Sequence, residues 1–190
     1  IHCELVYPGY FYTPFASISD DFLQNSVTCI SPSKAFNIAG LQIANIVCAD
    51  ELIKSKIDRA INDNEVCDVN PFGVIATQAA YNEGEEWLTQ LIEYLHNNYF
   101  YMKVFCQENL PMYPIATLEG TYLVWMDCRA IGLSSEKLEQ KLIDKAKLWL
   151  NAGTIYGRDG EGFMRWNIAC PRATLKVGLE RFTDFIHKLT

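Results

Sequence analysis

Two short apolar runs near the start of the chain constrain its fold most strongly. Residues 26–30 and 41–49 are rich in Val and Ile, a composition typical of buried strands. Two strands alone do not form a stable doubly wound sheet. Strands that are apolar on both faces need neighbouring strands and covering helices. We therefore predict that residues 1–84 are the incomplete carboxyl-terminal part of a larger α/β domain.

The rest of the chain alternates between helical and extended patterns. Asp50 and Asn70-Pro71 are signals for the start of a helix. An amphipathic pattern predicts a long connecting helix over residues 85–110. Strand and helix patterns then alternate to the end of the chain, with a strand predicted at 163–169. This order predicts a small α/β domain over residues 111–190.

Composition argues against several classes of function. The formal net charge is -7 and basic residues form no run, which argues against a nucleic-acid partner. The longest apolar runs are too short to cross a membrane, and the first residues show no signal-peptide pattern. The 7 cysteines are scattered without a CxxC pair, so we predict no metal site. Buried free thiols are the simplest account of them, and we expect a cytoplasmic protein.

Lys34 is the first candidate for chemistry. It lies in the segment between the two apolar runs, with Ser31 and Ser33 upstream. A neutral lysine amine is a nucleophile for a carbonyl carbon, and serine hydroxyls with turn N–H groups can hold a phosphate. Lysine is more often a solvated surface charge, so spacing alone leaves both interpretations open.

Arg165 is the second candidate. Strand alternation over residues 163–169 places Phe163, Arg165 and Asn167 on one face. A guanidinium beside an amide suits bidentate binding of a carboxylate. The alternative is an edge-strand arginine paired with a surface acid. His2 is the third candidate, because it alone among the three histidines lies near turn-forming residues.

Together these motifs resemble the fold-type I pyridoxal-phosphate enzymes of aminotransferase class I/II. The resemblance rests on Ser31-Pro-Ser-Lys34, on the following Ala-Gly-Leu-Gln42, and on the strand around Arg165. Within that class, the chain resembles most the cystathionine β-lyases of the MalY/PatB type, the C–S lyases. The segments that carry this closer likeness are Ile1-His-Cys-Glu-Leu, Phe15-Ala-Ser, Asn70-Pro-Phe-Gly, Gly84-Glu-Glu-Trp-Leu, Glu119-Gly-Thr-Tyr-Leu-Val-Trp and Ala169-Cys-Pro-Arg172.

The resemblance implies a fold and a role for each candidate. It makes residues 1–84 part of the large domain that binds pyridoxal phosphate. Lys34 would bind the aldehyde of pyridoxal phosphate and move the substrate Cα proton, and Arg165 would bind the substrate carboxylate. The other cofactor-binding residues would be Ser31 and Ser33 at the phosphate, and His2 and Gln42. The last two occupy positions where related aminotransferases have a tyrosine and an arginine.

The implied activity is β-elimination of cystathionine or cysteine to pyruvate, ammonia and a thiol. The alternatives are an aminotransferase and a non-catalytic interaction module of the same fold. A homodimer acting on a small amino-acid substrate is expected. The resemblance places the aspartate that pairs with the pyridine nitrogen upstream of Ile1. The chain therefore resembles a carboxyl-terminal half, and on its own we expect it to be inactive or very weak.

Overall fold

A computed structural model describes residues 1–189 and divides the chain into two compact units, Ile1–Ile92 and Glu93–Thr190. The boundary between the units falls within the long helix, whose two ends therefore belong to different units. The domain limits proposed from the sequence, after residues 84 and 110, stay a prediction. None of the described helices is both long enough and apolar enough to cross a membrane.

The first unit contains a two-stranded antiparallel sheet. Strand β1, Thr28–Ile30, pairs with strand β2, Asn45–Val47. Both strands are shorter than predicted, and the prediction that they are buried is wrong. Ile46 is 48% exposed and Val47 is 52% exposed. The reason is that β1 and β2 are the only strands of their sheet within the described residues, so no neighbouring strand covers their apolar side chains.

The two longer helices of the first unit begin where their capping residues predict. After the short α1, Asp20–Gln24, helix α2 covers Glu51–Asp63 and helix α3 covers Pro71–Glu83. The Asp50 carboxylate accepts a hydrogen bond from the Ile53 N–H at 2.7 Å. The Asn70 side chain accepts one from the Phe72 N–H at 3.1 Å. Each cap satisfies an amide that the helix itself leaves without a partner.

Helix α4 covers Glu85–Asn109, as the sequence predicts. In the second unit it carries a buried stripe that includes Leu95, Met102 and Cys106. Asn98 is fully buried, and its amide donates to the carbonyls of Ile168 and Cys170, both at 2.9 Å. Because a buried amide without partners is costly, these bonds fix α4 against the chain segment that follows the last strand.

The second unit is built on a three-stranded antiparallel sheet. Strands β3, Leu123–Asp127, β4, Asn151–Ala152, and β5, Phe163–Asn167, are arranged in the order β3-β5-β4. The register places Trp125 and Asn151 opposite Arg165 on either side of β5. The sequence does not predict β4, because two residues are too few to show alternation.

Two further helices complete the second unit. Helix α5, Ser135–Lys141, continues into a π-helical turn, Leu142–Ala146. Lys147 follows with a φ of 54°, and the helix ends there. Helix α6, Arg172–His187, follows Pro171. The core of this unit contains Leu138, Leu142, Met164, Trp166, Leu179 and Phe182.

The prediction of buried thiols is correct for only two cysteines. All 7 are free, but Cys106 and Cys128 alone are buried, while Cys29 and Cys67 are exposed. Burial raises the pKa of the Cys106 thiol to about 12 and also raises the pKa of Cys128. These two thiols are therefore protonated near neutral pH and act as small apolar core groups.

The loop between β4 and β5 is held by a close approach of two glycines. A Cβ on Gly160 would lie 2.2 Å from the carbonyl oxygen of Gly153. Beside this contact, the buried Ser135 hydroxyl accepts a hydrogen bond from the Gly162 N–H at 2.8 Å. Any side chain at residue 160 would have to displace backbone atoms.

We therefore expect Gly160→Ala to lower the free energy of unfolding of the purified protein by about 2 kcal/mol, a cost typical of overpacking. Gly40→Ala is the matched control, since a Cβ at Gly40 meets no atom within 4 Å. Urea unfolding followed by tryptophan fluorescence measures both variants. Equal stability of the two would show that the glycine contact is not required.

Candidate functional site

A compact turn after β1 presents Lys34. The Phe36 N–H donates to the Pro32 carbonyl at 2.9 Å, and the Ile38 N–H donates to the Ser33 carbonyl at 3.1 Å. Ala35 is fully buried, while Lys34 is exposed. The turn therefore anchors its neighbours in the first unit and leaves the Lys34 amine accessible to a reactant.

The two serines beside Lys34 are both buried but differ in what they bind. The Ser31 hydroxyl donates to the Ile43 carbonyl at 2.6 Å and accepts from the Ser33 N–H at 3.2 Å. Its proton therefore links the turn to the segment before β2. The hydroxyl of Ser33 makes no such bond to the rest of the described chain. Ser33 is consequently the serine whose proton is available to an anion.

The N-cap residue of α3, Asn70, and Gly73 within α3 hold the segment after this turn, a role that the sequence does not predict for them. The Asn70 amide donates to the Leu41 carbonyl at 3.3 Å. A Cβ on Gly73 would lie 3.1 Å from the Leu41 carbonyl and from Cβ of Ile43. The start of α3 thus packs closely on residues 41–43. The Asn-Pro signal predicts a helix cap, but nothing in the sequence pattern identifies which carbonyl the cap also contacts.

His2 and Gln42 lie in the same unit as Lys34. Gln42 has a φ of 50° and ends a 3-10 turn, Ala39–Leu41, with an exposed side chain. His2 is partly exposed, and its carbonyl accepts a hydrogen bond from the Leu5 N–H at 3.0 Å. The structure thus places all five predicted cofactor residues in the first unit and Arg165 in the second.

Arg165 lies on the central strand of its sheet. The predicted alternation is confirmed, because Met164 and Trp166 are buried while Arg165 is only partly so. The guanidinium donates to the Asn151 side-chain oxygen at 3.1 Å. No carboxylate forms an ion pair with Arg165 among the described residues. The alternative of an edge-strand arginine paired with a surface acid is therefore wrong.

Aromatic side chains hold the Arg165 guanidinium in place. Its central carbon lies 4.3 Å from the centre of the Tyr156 ring, a cation–π contact. Trp125 in turn packs edge-on against Tyr156, with ring centres 5.5 Å apart. One guanidinium N–H bonds Asn151, and the others stay available. Two neutral side chains, Asn151 and Tyr156, thus fix the orientation of the Arg165 guanidinium.

A shallow pocket of about 300 Å³ lies beside this arrangement. It is lined by Trp125, Tyr156, Asp159, Gly160 and Phe163. The sequence does not predict the contact of Trp125 with Tyr156. Tyr156 and Asn151 give no sequence signal, because they lie in a loop and a two-residue strand without periodicity. Cross-strand pairing brings Asn151 to Arg165, and the loop that follows β4 brings Tyr156 there.

Tyr122 is also near Arg165. Burial raises the pKa of the Tyr122 phenol, and the positive charge of Arg165 opposes that rise. The phenol is therefore protonated at neutral pH. It therefore adds no negative charge beside Arg165.

Comparison with known proteins places the Lys34 turn and the Arg165 strand in one family. The profile described as "Aminotransferase class I and II" matches residues 3–182. Cystathionine beta-lyase PatB of Bacillus subtilis is 44% identical over 181 residues, which cover 95% of this chain and 47% of that protein. The chain therefore spans about half the length of the curated relatives it matches.

Solved structures agree with this result and confirm the predicted fold class. Cystalysin from Treponema denticola, which contains pyridoxal 5'-phosphate, matches with a TM-score of 0.93 and 32% identity. That match covers 100% of this chain and 48% of the other. A pyridoxal-phosphate-bound C–S lyase from Staphylococcus hominis matches with a TM-score of 0.88 and 34% identity, covering 98% and 48%.

Proposed function

Since the chain belongs to the aminotransferase class I and II family, we propose that it contributes to a pyridoxal-phosphate-dependent carbon–sulfur β-lyase. The proposed reaction converts L-cystathionine or L-cysteine to pyruvate, ammonia and a thiol. The observation that carries this choice is the 44% identity to a cystathionine beta-lyase over 95% of the chain. Because the chain spans about half of that relative, the activity is proposed for the whole protein.

The turn around Lys34 has the donor groups that the cofactor requires. Lys34 offers an exposed amine for an aldehyde, and Ser33 offers a hydroxyl proton that no described protein group uses. We assign Ser33 to the cofactor phosphate, and we assign Ser31 to holding the turn as well as lying beside the phosphate. His2 and Gln42 complete the proposed cofactor residues.

Arg165 is proposed to bind the α-carboxylate of the substrate. The fork of N–H donors matches the two oxygens of a carboxylate, and Asn151 and Tyr156 restrict the orientation of the guanidinium. Such pre-orientation reduces the entropy lost when the substrate binds. The adjoining pocket, which includes Trp125 and Phe163, has room for part of the substrate.

Proton transfer by Lys34 is the central step that this chain would perform. The bound cofactor supplies an electron sink for the negative charge that develops at the substrate Cα. The Lys34 amine takes the Cα proton, which leaves an electron pair at that carbon. That pair forms the Cα–Cβ double bond as the Cβ–sulfur bond breaks, and sulfur leaves as a thiolate. Water then releases ammonia and pyruvate.

The two serines provide a test of the cofactor assignment. Ser33→Ala should weaken pyridoxal-phosphate binding about tenfold, because one hydrogen bond to a charged group is lost. Ser31→Ala should instead mainly lower stability, since it removes the link to Ile43. Equilibrium titration of the cofactor, together with urea unfolding, separates the two effects. Equal cofactor affinity in wild-type protein and Ser33→Ala would contradict the assignment.

An aminotransferase is the second candidate, since an aspartate aminotransferase of Pyrococcus horikoshii is 27% identical over 163 residues. It would use the same Lys34 and Arg165 but return the proton to the cofactor rather than expel a thiolate. Pyruvate and free thiol formed without an added keto acid indicate the lyase. Amino transfer that depends on a keto acid indicates the alternative.

We also propose that the whole protein is a cytoplasmic homodimer. Support for the dimer comes from exposed apolar side chains in the first unit, among them Phe11, 93% exposed, and Phe15. Exposed apolar surface of this kind favours association. Support for the cytoplasm comes from the 7 free cysteines. Sedimentation equilibrium of the whole protein tests the dimer, and a monomer at micromolar concentration would contradict it.

A further inference from the structure

A cationic groove lies in the second unit, between the π-helical turn and α6. Its volume is about 510 Å³, within the range of small-molecule sites. The lining residues are Lys141, Lys145, Ala146, Arg181, Asp184, Phe185, Lys188 and Leu189. None of them lines the pocket beside Tyr156, and none is one of the two side chains that hold Arg165. The groove is thus separate from the proposed substrate site.

The charge of the groove is opposite to that of the chain. Four cationic side chains line it against a single carboxylate, Asp184, although the formal net charge of the chain is -7. None of these four cations forms an ion pair with a described carboxylate. An anion in the groove would be attracted by several cations at once, and it would also reduce the repulsion among them.

Helical geometry explains why these charges converge. Lys141 and Lys145 are four residues apart across the junction of α5 and the π-helical turn, so they share a face. Arg181 of α6 and Lys188, which follows its last residue, are seven residues apart, two turns along one side. The Arg181 guanidinium also donates to the Lys147 carbonyl at 2.9 Å, which fixes it at the end of the π-helical turn.

The groove combines these charges with an apolar floor. Phe185 is buried, and Ala146 and Leu189 also line the groove. A purely ionic ligand would not bury this apolar surface, whereas a ligand with an apolar part would bury that part against it. Lysine and arginine are the usual partners of phosphate, and a dianion neutralises more of the excess charge than a single carboxylate.

We propose that this groove binds a small molecule that carries a phosphoryl group on an apolar or aromatic body. The phosphoryl group lies among Lys141, Lys145 and Arg181, and the apolar body lies over Phe185. This site is in a different unit from the Lys34 turn that we assign to the cofactor phosphate. The two assignments are therefore tested independently.

Phenyl phosphate is the probe, titrated into the purified protein by calorimetry, with amide chemical shifts recorded by NMR. We expect saturable binding that is at least about tenfold tighter than that of inorganic phosphate or phenol, since each lacks one half of the interaction. The amides that shift should lie at residues 141–146 and 181–189. Shifts confined to residues 31–34, or no saturable binding at about 10 mM, would overturn the proposal.

Matched double variants separate a specific site from general attraction. Lys141→Gln with Lys145→Gln should weaken phenyl phosphate binding about tenfold. The control, Lys54→Gln with Lys56→Gln on α2, makes the same change in net charge outside the groove and should alter the affinity less than about twofold. Lys141→Arg with Lys145→Arg should retain binding. Equal losses in the groove and control variants would overturn the proposal.

Discussion

Replacing Lys34 with alanine should abolish covalent attachment of pyridoxal phosphate and reduce turnover of L-cystathionine by about 10³-fold or more. The reason is that one amine is assigned both the bond to the aldehyde and the transfer of the Cα proton, and a positioned base alone contributes about 10² to 10⁴. Visible absorbance of the bound cofactor and a pyruvate assay measure the two losses in the whole protein.

Lys54→Ala is the control for this experiment. Lys54 is an exposed lysine of the same unit, and its amine lies 3.6 Å from the Glu51 carboxylate. Its replacement should leave absorbance and turnover unchanged, because an exposed pair contributes little. If Lys34→Ala kept the cofactor band, another amine would hold the aldehyde and the assignment of the turn would be wrong.

Arg165→Gln should raise KM for L-cystathionine about 10- to 100-fold, with a smaller effect on kcat. The variant removes charged hydrogen bonds to the substrate carboxylate, each worth roughly 1.5 to 3 kcal/mol. Arg165→Lys should give an intermediate KM, because lysine keeps the charge but loses the planar fork. Steady-state kinetics of the wild type, Arg165→Gln and Arg165→Lys, each as the whole protein, measure these differences in KM.

Arg158→Gln makes the same substitution at an exposed residue of the neighbouring loop. We expect its KM to match that of the wild type. Unchanged KM in Arg165→Gln would show that the carboxylate binds elsewhere. Circular dichroism shows whether Arg165→Gln folds. If it does not, the KM of Arg165→Lys still tests the assignment.

Local signals in the sequence predict most of the helices correctly. The limits of α4 follow from its apolar stripe and flanking residues, and the starts of α2 and α3 follow from Asp50 and Asn70. These features depend on residues within one or two turns of each other. The alternation around Arg165 is equally local, so the period of two residues along a strand is enough to predict the face on which it lies.

Features that depend on distant partners could not be predicted in this way. The burial of β1 and β2 depends on neighbouring strands that the described residues do not provide. The contact between Arg165 and Tyr156 depends on the conformation of the loop that joins β4 to β5, and the Asn151 bond depends on cross-strand register. The distinction between Ser31 and Ser33 arises from a carbonyl twelve residues along the chain. The sequence alone does not distinguish the roles of the two serines, but their hydrogen bonds differ.

Product analysis with L-cystathionine tests the proposed function most directly. The whole protein, loaded with pyridoxal phosphate and given no keto acid, should form pyruvate, ammonia and homocysteine in equal amounts. Lys34→Ala should form none above background. Absence of pyruvate and thiol from the loaded wild-type protein, together with amino transfer to an added keto acid, would contradict the lyase and identify an aminotransferase.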